Sequence, residues 1–64
     1  MKKIYKYLIS ENESIRNSIK KMDIEHVEFL AVHAQNGKIV GVFTMGDFRR
    51  YVLQGIDINT KISK

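Results

Sequence analysis

Cysteine, proline and tryptophan are all missing from this 64-residue chain. Without cysteine there can be no disulfide framework and no thiolate metal site. His26 and His33 stand seven apart, with no carboxylate completing a metal-ligand spacing, so a metal centre is not expected either. No apolar run approaches the roughly 20 residues of a membrane span. The basic start, Met1 to Ile9, is interrupted by Lys6 and no small-residue cleavage site follows, so it does not have the form of a signal peptide. These absences together predict a cytoplasmic chain without a membrane segment, in which Asn12-Glu13-Ser14 matches a glycosylation sequon by chance. Internal repeats and low-complexity segments are missing too. A chain of about 60 residues hides only about 60% of its unfolded surface. Its single core then contributes roughly 3–5 kcal/mol. With disulfides and metals excluded, a partner is the expected supplement.

The net charge is +4, from eleven Lys/Arg against seven Asp/Glu. A small basic domain raises the question of nucleic acid. The cations are scattered, however: Lys2, Lys3 and Lys6, then Arg16, Lys20 and Lys21, then Arg49 and Arg50. They form no aromatic-interleaved platform and no recognition-helix or zinc-finger spacing, so they read as solvated surface charge. Catalysis finds no support: there is no Cys/His pair, no serine in a nucleophile elbow and no paired carboxylates. The four glycines match neither a phosphate loop nor a dinucleotide fingerprint. The chain is not expected to be an enzyme.

Periodicity supplies the architecture. Between Ser10 and Met22, Ile15, Ile19 and Met22 recur at i, i+4 and i+7, predicting a helix with one apolar face. Ser10-Glu11-Asn12-Glu13 has the form of a capping box, and Asn12 or Ser14 could cap instead. Val27 to Val32 is short, almost continuously apolar and partly β-branched, and predicts a mostly buried strand. Asn36-Gly37 suits a tight hairpin turn with positive φ angles. Ile39 to Phe43 then predicts an antiparallel partner strand. Phe48, Tyr51 and Val52 return to helical spacing, so a second helix is expected from Met45 to Gln54, with Gly55 as its left-handed close. The tail from Ile56 to Asn59 is expected to be extended and to return towards the first helix. The predicted class is α/β (α+β): helix, strand, strand, helix with extended ends, a small sheet packed on two helices.

One stretch carries chemistry. Val40 to Arg50 sets the hydroxyl of Thr44 and the carboxylate of Asp47 three residues apart where a strand becomes a helix. The first amides of a helix lack internal partners and its dipole favours anions there. A phosphate fits such amides, with the Thr44 hydroxyl as a further donor. Asp47, an acceptor when ionised, suits a ribose diol, and Gly46 permits close approach. Ser/Thr-x-x-acid is equally a plain capping box. Arg49 and Arg50 point about 100° apart on a helix, so at most one of them faces a ligand.

Gly41-Val42-Phe43-Thr44-Met45-Gly46-Asp47 resembles the Gly-apolar-apolar-Ser/Thr-x-x-Asp signature of cystathionine β-synthase-type (CBS) motifs. The resemblance runs from about Ile9 to Lys64 and includes the order of helix, strand, Asn-Gly turn and strand. Gly46 to Arg50 and Gly55 to Ile58 are similar to CBS motifs attached to bacterial sugar-nucleotide nucleotidyltransferases and sugar-phosphate isomerases. It implies a regulatory module with an adenosine-nucleotide site (AMP, ADP, ATP or S-adenosylmethionine) between two motifs, and no required cofactor. Thr44 then contacts phosphate and Asp47 ribose, with Gly46, Met45 and Arg50 beside them. The base lies near Ile9, Ser10, Val27 and Phe29. Relatives tend to have Thr-Asp-Gly-Asp; Met45 replaces that first acid, which either eases polyphosphate binding or marks a site that binds nothing. Such motifs work in pairs. Residues 1–64 are therefore expected to be half of a tandem pair, part of a longer protein with a linked enzyme domain, or to form a homodimer. The alternative is a ligand-free dimerisation module.

Overall fold

The computed structural model describes the backbone of residues 2–62 and the side chains of residues 5–62. A 3-10 helix, Lys2–Tyr7, leads into β1 (Leu8–Ser10), α1 (Ile15–Glu25), β2 (Phe29–His33), β3 (Ile39–Thr44) and α2 (Met45–Leu53). The sheet order is β1-β2-β3; β1 runs parallel to β2, and β3 antiparallel to it. The predicted class, a small sheet with two helices, is the one observed.

The N-terminus departs from the expected extended end, because residues 2–7 coil into 3-10 turns and only Leu8–Ser10 is extended. Those three residues become a strand by pairing with Ala31–His33, a partner far along the chain. Of the three candidate caps for α1, Ser14 is used: its Oγ accepts the Asn17 N–H at 3.0 Å. Ser10 instead sits in β1, and its Oγ accepts the Asn12 N–H at 3.1 Å. The helix continues beyond Met22 to Glu25, and the first predicted strand starts at Phe29 rather than Val27. The reason is the helix close. His26 adopts a left-handed conformation, φ 59°, and the Val27 N–H bonds to the Met22 carbonyl at 3.1 Å, tucking Val27 into the core.

The end of α2 has the same build. Gly55 takes φ 76°, and the Ile56 N–H bonds to the Tyr51 carbonyl at 3.0 Å. Glycine makes this turn freely, whereas an L residue pays roughly 1–2 kcal/mol for it. His26 is exposed and contributes no buried contact there. His26→Gly is therefore expected to stabilise the chain by about 1 kcal/mol, raising Tm by about 4–8 °C. An unchanged or lower Tm in a calorimetric scan would contradict this.

The hairpin differs from the tight turn expected of Asn36-Gly37. Only Gly37 has positive φ, at 89°. Its N–H donates to the Ala34 carbonyl at 2.9 Å, and the Ala34 N–H donates to the Lys38 carbonyl at 2.8 Å. Asn36 Oδ1 accepts the Lys38 N–H at 2.9 Å, which holds Asn36 in a wider loop. The tail also differs, turning rather than extending: Asp57 accepts the Asn59 N–H on its side chain and the Thr60 N–H on its carbonyl. It does return to the first helix, bridging Lys61 to Ser14.

Ile9, Ile15, Met22, Val27, Leu30, Val32 and Phe43 form the core, with Ile19, Phe48, Tyr51, Ile56 and Ile58 packed around it. Ser18, fully buried at a position the apolar pattern left out, donates its hydroxyl to the Ser14 carbonyl at 2.9 Å. Along β2 the burial alternates, with Leu30 and Val32 buried and Ala31 only partly covered. The opposite sheet face carries the cross-strand row Leu8, Ala31 and Val42. Val40 and Val42 are 57% and 59% exposed, and Phe29 is 44% exposed although Tyr7 stacks on it. The molecule measures only 15 Å along its thinnest axis, as a two-layer slab with one apolar face open.

Candidate functional site

Two helices begin in this fold, and their N-termini differ. At α1 the free amides are used up. Ile15 donates its N–H to the Thr60 carbonyl at 2.9 Å, Arg16 to the Ile58 carbonyl at 2.8 Å, and Asn17 to the Ser14 hydroxyl. The returning tail leaves no room in hydrogen bonding for an anion there. At α2 the third amide, that of Asp47, donates to Thr44 Oγ1 at 3.2 Å. Among the described residues, the N–H of Gly46 has no protein partner. Unpaired amides at a helix start favour an anion.

Thr44 and Asp47 form a complete capping box. Asp47 Oδ2 accepts the Thr44 N–H at 3.0 Å and lies 3.2 Å from the Thr44 hydroxyl, which can donate to it. Asp47 Oδ1 pairs with Arg50 Nη2. The Asp47 side chain is half-buried and that of Arg50 largely exposed. Arg49, its neighbour, is exposed and makes no such pair among the described residues. A Cβ on Gly46 would lie 3.5 Å from Thr44 Oγ1 and 4.0 Å from Arg50 Nη1, so the guanidinium arches over Gly46. The fold itself would tolerate a side chain there.

The remaining predicted residues fall in different places. Val27 and Met45 meet, lining a depression of about 230 Å³ with Met22 and Asp23. Asp47 borders another, of about 360 Å³, walled by Val40, Gly41, Phe43 and Tyr51. There is open space at Gly41, where a Cβ would meet nothing within 4 Å. From sequence, Tyr51 is placed only in the helical spacing of α2; its position one turn beyond Asp47 is the signal that could have found it. Ser10 is not brought to this group. It pairs with His33 at one end of β2, whereas Thr44 pairs with Phe29 at the other. Ser10 instead borders a groove of about 430 Å³ between β1 and α1, together with Asn17, Lys20 and His33. Among the described residues, no three metal-ligating side chains cluster.

No protein-family model matches the sequence. No curated protein matches it either. Among solved structures, a CBS domain protein from Pyrobaculum aerophilum, determined in complex with AMP, superposes with a TM-score of 0.81. The two are 21% identical over a match covering 88% of this chain and 44% of that one. The chain thus has the fold of a CBS domain, and it spans less than half the length of that protein.

Proposed function

We propose that the chain is one motif of a CBS-type regulatory module that binds an adenosine nucleotide and modulates a linked enzyme. The observation that carries this reading is the unpartnered amide of Gly46 behind Thr44 and Asp47. It gains support from a solved protein of the same fold that holds AMP. Phosphate sits on that amide beside Thr44 and Arg50; Gly46 lets it come close; Asp47 receives the ribose hydroxyls. Val27 and Met45 offer the base an apolar wall.

Ser10 joins this site from a second copy or a second motif. Within one chain it lies on the far strand and at the far end of the sheet, roughly 13 Å away along β2 alone. Packing two open apolar faces about a two-fold axis brings the Ser10 end of one copy over the Thr44 end of the other. The same packing covers Val40 and Val42. The linked enzyme is proposed to be a sugar-nucleotide nucleotidyltransferase or a sugar-phosphate isomerase, and the module itself non-catalytic. No helix among the described residues is long and apolar enough to cross a membrane; the cytoplasm is the proposed location.

The test is a thermal-shift titration with AMP, ADP, ATP and S-adenosylmethionine, with GTP as control. Ligand at 100 times its Kd adds about 2.7 kcal/mol, which raises Tm by roughly 10–20 °C in so small a domain. An adenosine-specific, saturable rise is expected. A folded sample that shifts with none of them would overturn the sensor reading. It would favour the second one, a ligand-free dimerisation module. That alternative has its own observation: both Asp47 oxygens are already engaged within the chain. Sedimentation should give a dimer under either reading.

A further inference from the structure

Resting on the nucleotide reading, we infer that Arg50 is a built-in competitor for Asp47 and thereby selects phosphorylated nucleotides over the bare nucleoside. An ionised carboxylate only accepts, with about four lone-pair sites on two oxygens. On Asp47, Oδ2 already faces the N–H and the hydroxyl of Thr44 at 3.0 and 3.2 Å. A ribose diol brings two O–H donors, and these must turn to Oδ1. Arg50 stands on Oδ1. The diol can take its full set of bonds only as the guanidinium leaves.

Arg50 is placed to leave without loss when a phosphate arrives. Its side chain is 65% exposed, against 24% for Asp47, so no packing ties it down. Its Nη1 lies 4.0 Å from where a Cβ on Gly46 would be, beside the unpartnered Gly46 amide. An anion bound on that amide is therefore within reach of the same guanidinium. Arginine exchanges one oxyanion for another readily, because its fork of donors matches carboxylate and phosphate alike. With a nucleotide, Arg50 gives up Asp47 and gains phosphate. With adenosine it gives up Asp47 and gains only water. The exchange makes the ribose site accessible to ligands that carry their own anion.

Two titrations, AMP and adenosine, on the wild-type chain and on Arg50→Gln test this by calorimetry. Removing the competitor should tighten adenosine by about two- to fivefold, the range of an exposed ion pair. Removing the phosphate partner should weaken AMP by about tenfold, as for a hydrogen bond to a charged group. The two affinities should move in opposite directions. If AMP binds the wild type but both affinities fall together or neither changes, Arg50 is not a competitor and the nucleotide reading stands. If neither ligand binds either protein, the nucleotide reading fails and takes this inference with it. Arg50→Lys, which keeps the charge without the fork, should recover AMP binding in part and leave adenosine weak.

Discussion

Leu30→Ala is expected to leave the isolated chain unfolded at 25 °C. Leu30 has no exposed surface, sits on the central strand and faces Phe43 across the ladder, itself only 3% exposed. Truncating a buried leucine costs about 2–5 kcal/mol, a lost transfer term plus a cavity. A core of this size supplies roughly 3–5 kcal/mol in all. The substitution therefore removes most or all of the margin. Val42→Ala, one residue from Phe43 but 59% exposed on the open face, should change stability by less than about 0.5 kcal/mol in the monomer. Far-UV circular dichroism across a thermal scan separates the two. A cooperative transition for Leu30→Ala near the wild-type Tm would mean that the core does not lie between the sheet and α1 as described.

Asp47→Asn is expected to abolish the nucleotide-induced rise in Tm while leaving the chain folded. Asparagine keeps an acceptor for the Thr44 N–H, and the backbone N–H of residue 47 still donates to Thr44 Oγ1, so both bonds of the capping box survive. What disappears is the charge in the first turn of α2, worth about 0.3–1 kcal/mol, and the exposed pair with Arg50, worth no more than about 1 kcal/mol. The stabilisation lost with the ligand is larger, about 2.7 kcal/mol at 100 times the Kd. The sign and size of the two effects can be read from one titration: a small fall without ligand, and the loss of the whole rise with it. A variant that still responds fully to AMP would remove Asp47 from the ribose and return it to the role of a helix cap. Dimerisation through the open sheet face should be intact, since Asp47 is no part of that row.

Features set by neighbours within a few residues were legible in the sequence. The apolar spacing of Ile15, Ile19 and Met22 put the right face of α1 inward. Thr44 and Asp47 cap each other across three residues, so their pairing follows from the strand-to-helix change alone. Gly55 closes α2 because only glycine turns left-handed without strain. The Asn36-Gly37 hairpin was placed correctly and its turn type was not, because the Asn36 side chain took the Lys38 amide. Local rules fail where a short segment has no periodicity. Leu8–Ser10 carries no strand signal of its own and is extended because Ala31 to His33 offer it a ladder. His26 is left-handed against its own preference, since the Met22 carbonyl and the buried Val27 hold the turn.

For the candidate site the division is the same. The sequence by itself determined which helix start bears a hydroxyl, a glycine and an acid, because hydrogen bonds three residues apart depend only on local backbone. Tertiary structure decided which start is open. The Ile58 and Thr60 carbonyls reach the first amides of α1 from more than forty residues away, and among the described residues nothing comparable reaches Gly46. It also decided that Ser10 and Thr44 lie at opposite ends of the sheet, and that one apolar face has no cover. These are consequences of how the chain closes on itself. Each depends on contacts whose partners are distant in sequence, and a pattern of neighbours carries no record of them.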